Sequence, residues 1–286
     1  MTNREQRTII AQETMNILKQ GFYQNQQGEV VNIQDTCLAA KKSSIHYSAE
    51  MWEEVFAERD RIYAKNISTK ITLEVRNETT LSAANRLVNE EGIERVFCLN
   101  FASAKNPGGG FLNGSQAQEE SLARATGLYP CIAQMVGMYS INRNLGSSLY
   151  TDDMIYSPKV PVIRDDNDEL LNRPFLVSIL TAPAVNAGAV MQKGKQEEIK
   201  YIKSTMFART EKILSVAAIH GYKVLVLGAW GCGVFQNNPQ DVAKYFYYHL
   251  MEAKLNGVFE KIVFAVLDSS KDKAIINPFR EIFQPI

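Results

Sequence analysis

Gly108, Gly109 and Gly110 stand in a row, and Glu119 and Glu120 follow close behind. Glycines without side chains let a ligand approach the backbone. They also admit positive φ, so successive N–H groups can turn toward one centre and receive an anion. The two carboxylates fall at the start of an expected helix, where its dipole favours negative charge. A phosphate cradle with acids beside it points to hydrolysis of a phosphorylated sugar rather than to simple binding. Neighbouring helical residues project about 100° apart, so Glu119 and Glu120 cannot form a symmetric pair on one face. One can stand over a reacting bond while the other orients a hydroxyl.

A second glycine loop, Gly231-Cys232-Gly233-Val234-Phe235, follows the apolar run 223–228. Neither loop carries the Gly-Lys-Ser/Thr of a P-loop or a full dinucleotide fingerprint. Two loops at neighbouring strand ends could clamp a diphosphate, since open α/β sheets bind ligands outside the carboxyl ends of their strands. His46, His220 and His249 are isolated and read as structural. Asp152-Asp153 and Asp165-Asp166 lack calcium-loop spacing and read as solvated turns. No metal site and no cofactor is expected.

The elements that must position these loops alternate. Strands are expected over 71–75, 95–100, 174–181, 223–228 and 261–267, with helices over 79–91, 119–128, 196–220 and 238–254. This alternation argues an α/β fold with helices on both faces of the sheet. Residues 140–173, with Pro158 and Pro161, interrupt it and read as a hairpin-bearing excursion. Two helices, over 4–20 and from Ser48 to Tyr63, precede any clear strand. The expected organisation is a helical accessory region over 1–66 and a main domain over 67–286.

The 286 residues suffice for such a domain, and a 45% hydrophobic content supports a substantial core. Lys plus Arg and Asp plus Glu both total 31, so no global field draws the chain to duplex nucleic acid or an anionic membrane. Cys37, Cys98, Cys131 and Cys232 form no paired motif, which fits a reducing cytoplasm. The N-terminus lacks a signal-peptide core, and no apolar run has membrane-spanning length. A cytoplasmic, monomeric protein is expected.

Asn100-Phe101-Ala102-Ser103, the three glycines and Gln118-Glu119-Glu120 together resemble the signature of poly(ADP-ribose) glycohydrolases of the microbial type. The second glycine loop resembles that family's diphosphate-binding loop. Tyr156-Ser157-Pro158, the run 162–165 and the run 182–186 are also similar to it. The resemblance covers nearly the whole chain.

It implies a macrodomain-like three-layer α/β/α fold with a mixed central sheet and an N-terminal helical extension. It further implies metal-free, exo-type release of ADP-ribose from poly(ADP-ribose), free or attached to proteins. By position, Glu120 becomes the acid/base and Glu119 the residue that orients substrate. Gly108, Gly109 and Gly110 wrap the distal ribose and its phosphate. Gly231, Cys232, Gly233 and Val234 hold the diphosphate, and Phe235 packs on the distal ribose. Gln118 is a further substrate-binding candidate. Asn100 stands where animal members carry Asp and is a candidate ribose contact. One carboxyl protonating the leaving oxygen and then activating water departs from the usual two-carboxylate glycosidase. Phe279, near the C-terminus, is the candidate to stack on adenine, with a core role as the competing reading. Two other functions share these residues: removal of single ADP-ribose units, and ADP-ribose binding without turnover.

Overall fold

The computed structural model describes residues 2–65, 70–194, 196–253 and 255–284. Short runs of β-branched and aromatic residues form its strands. In chain order these are β1 (Phe22–Gln24), β2 (Val30–Asn32), β3 (Ile45–Tyr47), β4 (Thr72–Arg76), β5 (Val96–Phe101), β6 (Met154–Arg164), β7 (Leu170–Ala182), β8 (Val224–Leu227) and β9 (Lys261–Ala265). Among the described residues, β1 and β2 form a small hairpin, and the others form one sheet in the order β3-β6-β7-β5-β8-β9-β4. From β7 to β4 every pairing is parallel, whereas β6 is antiparallel to both β7 and β3. The sheet is therefore mixed, with β6 running against the rest.

Strand β5 shows how the sequence builds the layers. Phe97 and Leu99 point to one face, and Val96 and Cys98 to the other. On the first face they meet helices Trp52–Lys65, Ile202–Ile219, Pro239–Tyr247 and Ile276–Phe283 through Trp52, Met206, Phe246 and Phe279. On the second they meet helices Thr80–Asn85, Gln118–Ala125 and Leu128–Ala133 through Leu81, Leu122 and Ile132. Both faces are covered, which is why β5 and β8 are apolar without alternation.

The five expected strands correspond to β4, β5, β7, β8 and β9. The excursion over 140–173 does bear a hairpin: it contains all of β6 and the first residues of β7, and this long hairpin belongs to the main sheet. Its two prolines mask the length of β6. Strand β3 pairs only with 154–156. Beyond it the neighbour on that side is the isolated bridge Thr126–Val162, where the Gly127 N–H donates to the Pro161 carbonyl at 2.9 Å and no N–H is asked of the proline. The register shift between Ser157 and Val160 takes up the remaining irregularity. The N-terminal helices occur at Asn3–Gln20 and Trp52–Lys65, but a third, Gln34–Lys42, and strand β3 of the main sheet belong to the same stretch. The expected boundary at 66/67 lies outside the described residues. Asp152 and Asp153 are not solvated turns. Asp152 pairs with Arg209 and Lys212, and Asp153 is buried beside Thr151 and His46.

Candidate active site

Because β4, β9, β8, β5 and β7 run the same way, their carboxyl ends share one edge of the sheet. The loops leaving that edge enclose a cleft of about 630 Å³. Its lining follows the strand order. Ser103, Glu119 and Glu120 come from the β5 side, and Gly231, Gly233, Val234 and Phe235 from β8. Val266, Leu267 and Ile275 follow β9, and Glu78 to Leu81 follow β4. Phe101 to Ser103 thus begin a connection that ends in the acidic helix Gln118–Ala125.

That helix has no side-chain cap at Ala117. Gln118 anchors its start instead. The Gln118 Oε1 accepts the Phe101 N–H at 2.8 Å, and its Nε2 donates to the Leu99 carbonyl at 2.8 Å and to Thr80 Oγ1 at 3.0 Å. Gln118 is therefore a strut between helix and sheet, and its amide is committed to protein partners rather than to substrate.

The two carboxylates occupy different environments. Glu119 is 3% exposed. Its Oε2 accepts the Ser103 N–H at 2.6 Å, its Oε1 accepts Asn100 Nδ2 at 3.3 Å, and the Gly108 N–H also reaches it. Burial outweighs these donors and raises its pKa to about 8, with the nearby Glu120 charge adding to the rise. Glu120 is partly exposed, lines the cleft, and accepts the Gly110 N–H at 3.0 Å.

The glycines make this arrangement possible in a way the sequence reading did not anticipate. The Gly108 N–H is taken by Glu119, that of Gly109 by the Asn106 carbonyl, and that of Gly110 by Glu120. What the nest holds is the protein's own pair of carboxyl groups, so these donors are not free for a phosphate. Gly109 has φ +60°, and a Cβ there would lie 2.9 Å from the Glu120 Cδ and 3.3 Å from the Glu119 Oε2. The missing side chain is what brings both carboxylates to one point, despite their divergence on the helix.

Asn100 is fully buried behind Glu119, at the end of β5. It donates to Glu119 and, at 3.1 Å, to Thr181 Oγ1, while its Oδ1 has no partner. The expected ribose contact is thus corrected: Asn100 does not line the cleft and touches the acid instead. Ser103, the last residue of the Asn100–Ser103 motif, and Thr181, which no motif distinguished, complete this shell.

The second loop keeps free donors. Trp230, fully buried, ties it down by donating from Nε1 to the Ala182 carbonyl at 2.9 Å. Asn237 Nδ2 donates to the carbonyls of Val185 at 2.7 Å and Gly231 at 3.0 Å. The N–H groups of Cys232, Gln236 and Asn237 close turns within the loop. Those of Gly231, Gly233, Val234 and Phe235 meet no acceptor among the described residues. Gly231 has φ +75°, and a Cβ there would stand 2.5 Å from Ala184 Cβ. Cys232 is buried, which pushes its thiol up to about 12 and leaves it inert. Its contribution is structural, because its N–H already serves Ala229. Val234 is exposed, and the Phe235 ring lies 6.1 Å from that of Tyr150.

Phe279 is corrected as well. It is fully buried, with its ring 5.5 Å from Phe264 and 6.4 Å from Phe283. It is a core residue and presents nothing to a base. The wall it supports is formed by Val266, Leu267 and Ile275. Asp268 holds that turn: burial pushes its pKa up, but the Ser270 hydroxyl and the N–H groups of Ser270, Ile276 and Ile275 donate to it and lower it to about 2.

Among the described residues, no group of three or more His, Cys, Asp or Glu side chains could hold a metal ion. No helix among them is long and apolar enough to cross a membrane.

A cleft at parallel strand ends, with one buried and one open carboxylate against a glycine loop, has the parts of a glycosidase site. Comparison with known proteins identifies the kind. The family model described as microbial-type PARG, catalytic domain, matches residues 11–165. The chain is similar to the poly(ADP-ribose) glycohydrolase of Thermomonospora curvata bound to the inhibitor ADP-HPD, with 40% identity and a TM-score of 0.87. That match covers 97% of this chain and 99% of the other. It is similar, too, to the poly(ADP-ribose) glycohydrolase of Deinococcus radiodurans in complex with ADP-ribose, with 43% identity and a TM-score of 0.80 over 87% of this chain and 97% of that one. No curated protein matches. The chain belongs to the microbial-type poly(ADP-ribose) glycohydrolase family and is a glycosidase.

Proposed function

We propose that this protein hydrolyses the ribose–ribose O-glycosidic bonds of poly(ADP-ribose), working inward from the chain end and releasing ADP-ribose, on a macrodomain scaffold. The observation that carries this reading is the unequal acid pair gathered over Gly109. Glu120 faces the cleft and can pass a proton to the leaving oxygen, then take one from the attacking water. Glu119, buried and held by Ser103, Gly108 and Asn100, is placed to fix a hydroxyl of the same ribose. Asn100 acts through Glu119. The free N–H groups of Gly231, Gly233, Val234 and Phe235 receive the diphosphate, and Phe235 packs on the distal ribose.

The strand order supports the remaining assignment. With the ribose over β5 and the diphosphate at the β8 loop, adenine falls over β9 and β4, against Val266, Leu267, Ile275 and Thr80. The four buried cysteines, all unpaired, fit a cytoplasmic protein. The deciding experiment incubates the protein with poly(ADP-ribose) and, separately, with a mono-ADP-ribosylated protein, and identifies products by mass spectrometry. Release of ADP-ribose from the polymer is expected. Release only from the mono-modified protein would replace this reading with a mono-ADP-ribosyl hydrolase, and binding without release would leave a reader module.

A further inference from the structure

The two mouths of the cleft differ in charge. Glu78, Asp165, Asp166 and Asp168 line the cleft, with Asp166 beside β4, where it accepts from Thr79 and Ser82. Glu78 pairs with Arg86 and Asp168 with Arg124, so Asp165 and Asp166 are the carboxylates there with no ion pair among the described residues. Past Phe235, at the opposite mouth, the side chains are basic. Lys105 Nζ lies 6.0 Å from the centre of the Tyr150 ring, which itself lies 6.1 Å from that of Phe235. Arg143 Nη1 donates to the Lys105 carbonyl at 2.7 Å, and Lys193 Nζ donates to Ser148 Oγ at 3.2 Å. Arg143 and Lys193 are exposed, and Lys105 is partly so. Among the described residues no carboxylate forms an ion pair with any of the three.

Tyr150 is held in this mouth at a cost. Its φ is +60°, a left-handed conformation that an aromatic residue rarely adopts without a functional reason. A buried cation enforces it. Arg209 Nη2 donates to the carbonyls of Leu149 at 2.8 Å and Tyr150 at 3.1 Å, and its Nη1 donates to that of Pro183 at 3.1 Å. The ring is thus presented between Phe235 and the Lys105 ammonium.

In the function proposed above, on which this step rests, the terminal unit fills the cleft with its ribose at Glu120. The other side of the scissile bond belongs to the next unit, which carries a diphosphate and an adenine. The acidic mouth repels that polyanion, and the basic mouth adjoins Phe235. We propose that Lys105, Arg143 and Lys193, with the Tyr150 ring, form a subsite for the penultimate ADP-ribose unit, the part of the polymer that departs. The cations meet its diphosphate, and the ring offers a face to its base.

The test is the double variant Lys105→Glu/Arg143→Glu, with Lys105→Arg/Arg143→Lys as the charge-conserving control. Free ADP-ribose affinity is measured by calorimetry, and initial rates on poly(ADP-ribose) are measured over a range of salt concentrations. Charge reversal at the rim is expected to raise the KM for polymer on the order of tenfold and to flatten its dependence on salt. The affinity for free ADP-ribose and the kcat should stay within about twofold, because neither group touches the terminal unit. The control should behave as wild type. An unchanged KM and salt slope in the double Glu variant would overturn the subsite while leaving the proposed hydrolysis intact. A parallel loss of free ADP-ribose affinity would also overturn it, since the charges would then act on the cleft itself. Failure of the wild-type protein to release ADP-ribose from polymer would overturn the underlying reading, and this one with it.

Discussion

Glu119 and Glu120 are adjacent in sequence yet serve different ends, because only one of them is buried. Glu120→Gln keeps the shape and the Gly110 contact but removes the transferable proton. Its kcat should fall by about 10²–10⁴ while ADP-ribose affinity changes little. Near-normal release of ADP-ribose by that variant would remove Glu120 from the acid/base role. Asn100 permits a subtler test. Asn100→Asp would set a third carboxylate against a crowded pair, with its side chain about where Asn100 now donates to Glu119. The alkaline limb of the pH–rate profile should move upward by about one unit or more, as expected for like charges sharing a site. A profile superposable on wild type would mean that Asn100 does not act through Glu119. At this scale the sequence showed which residues gather but not how. The run of three glycines and the two acids was readable as a site because few other purposes need glycines beside carboxylates. That the glycine N–H groups would hold those carboxylates, rather than a phosphate, depends on the angle at which the helix returns to β5. Gln118 fixes that angle through contacts with Leu99, Phe101 and Thr80 that no local pattern encodes.

The element that supports the glycine loop from behind comes from the far end of the chain. Helix Asn3–Gln20 donates from Arg4 Nε to the Asn113 carbonyl and from Arg7 Nε to that of Gly114, both at 2.9 Å. Its Ala11, fully buried, packs with Phe111 and Ala123, directly behind Gly108. Ala11→Leu has no room there. It should cost about 1–3 kcal/mol of stability. It should also lower kcat in a protein that circular dichroism still reports as folded, since Phe111 packs directly against Gly108 and its displacement disturbs the glycine loop. Lower stability with unaltered kcat would show that the helix is a passive cover. Helix Ile276–Phe283 gives the opposite case. Phe279→Ala should cost about 3–5 kcal/mol, as for a buried aromatic, with ADP-ribose affinity unchanged. Weakened ADP-ribose binding would return Phe279 to the site. The apolar strands β5, β8 and β9 were legible because burial on both faces leaves an uninterrupted hydrophobic run. The place of β6 in the main sheet was not, because its prolines are tolerated where the neighbour past β3 is only the isolated Thr126–Val162 bridge, a tertiary circumstance. Phe279 was legible in part, since Ile276, Phe279 and Phe283 share one face of a short helix and that face is the buried one.

In the whole molecule, five parallel strand ends at one edge allow loops far apart in sequence to build one cleft, and the fold bears the consequence of burying an acid beneath it. The Glu119 carboxyl has an ordinary value of 4.5 but titrates at about 8 in the folded protein. Between those two values the native state keeps a proton that the unfolded chain has already released. Stability therefore falls as the pH rises through this window, and it falls no further from this source above about pH 8. Glu119→Gln abolishes the titration. Its amide can also donate to Asn100 Oδ1 after a flip of the Asn100 side chain, giving that buried oxygen the partner it lacks. The variant should thus match wild type in Tm near pH 4.5 and exceed it by about 2–4 °C or more near pH 8, a shift ordinary for roughly 1 kcal/mol in a chain of this size. Turnover of poly(ADP-ribose) should be lost at every pH. Scanning calorimetry of both proteins across that range decides the matter: a Tm difference that stays constant with pH would mean that the buried carboxylate imposes no such cost on the fold, and that its proton is not held by the native state.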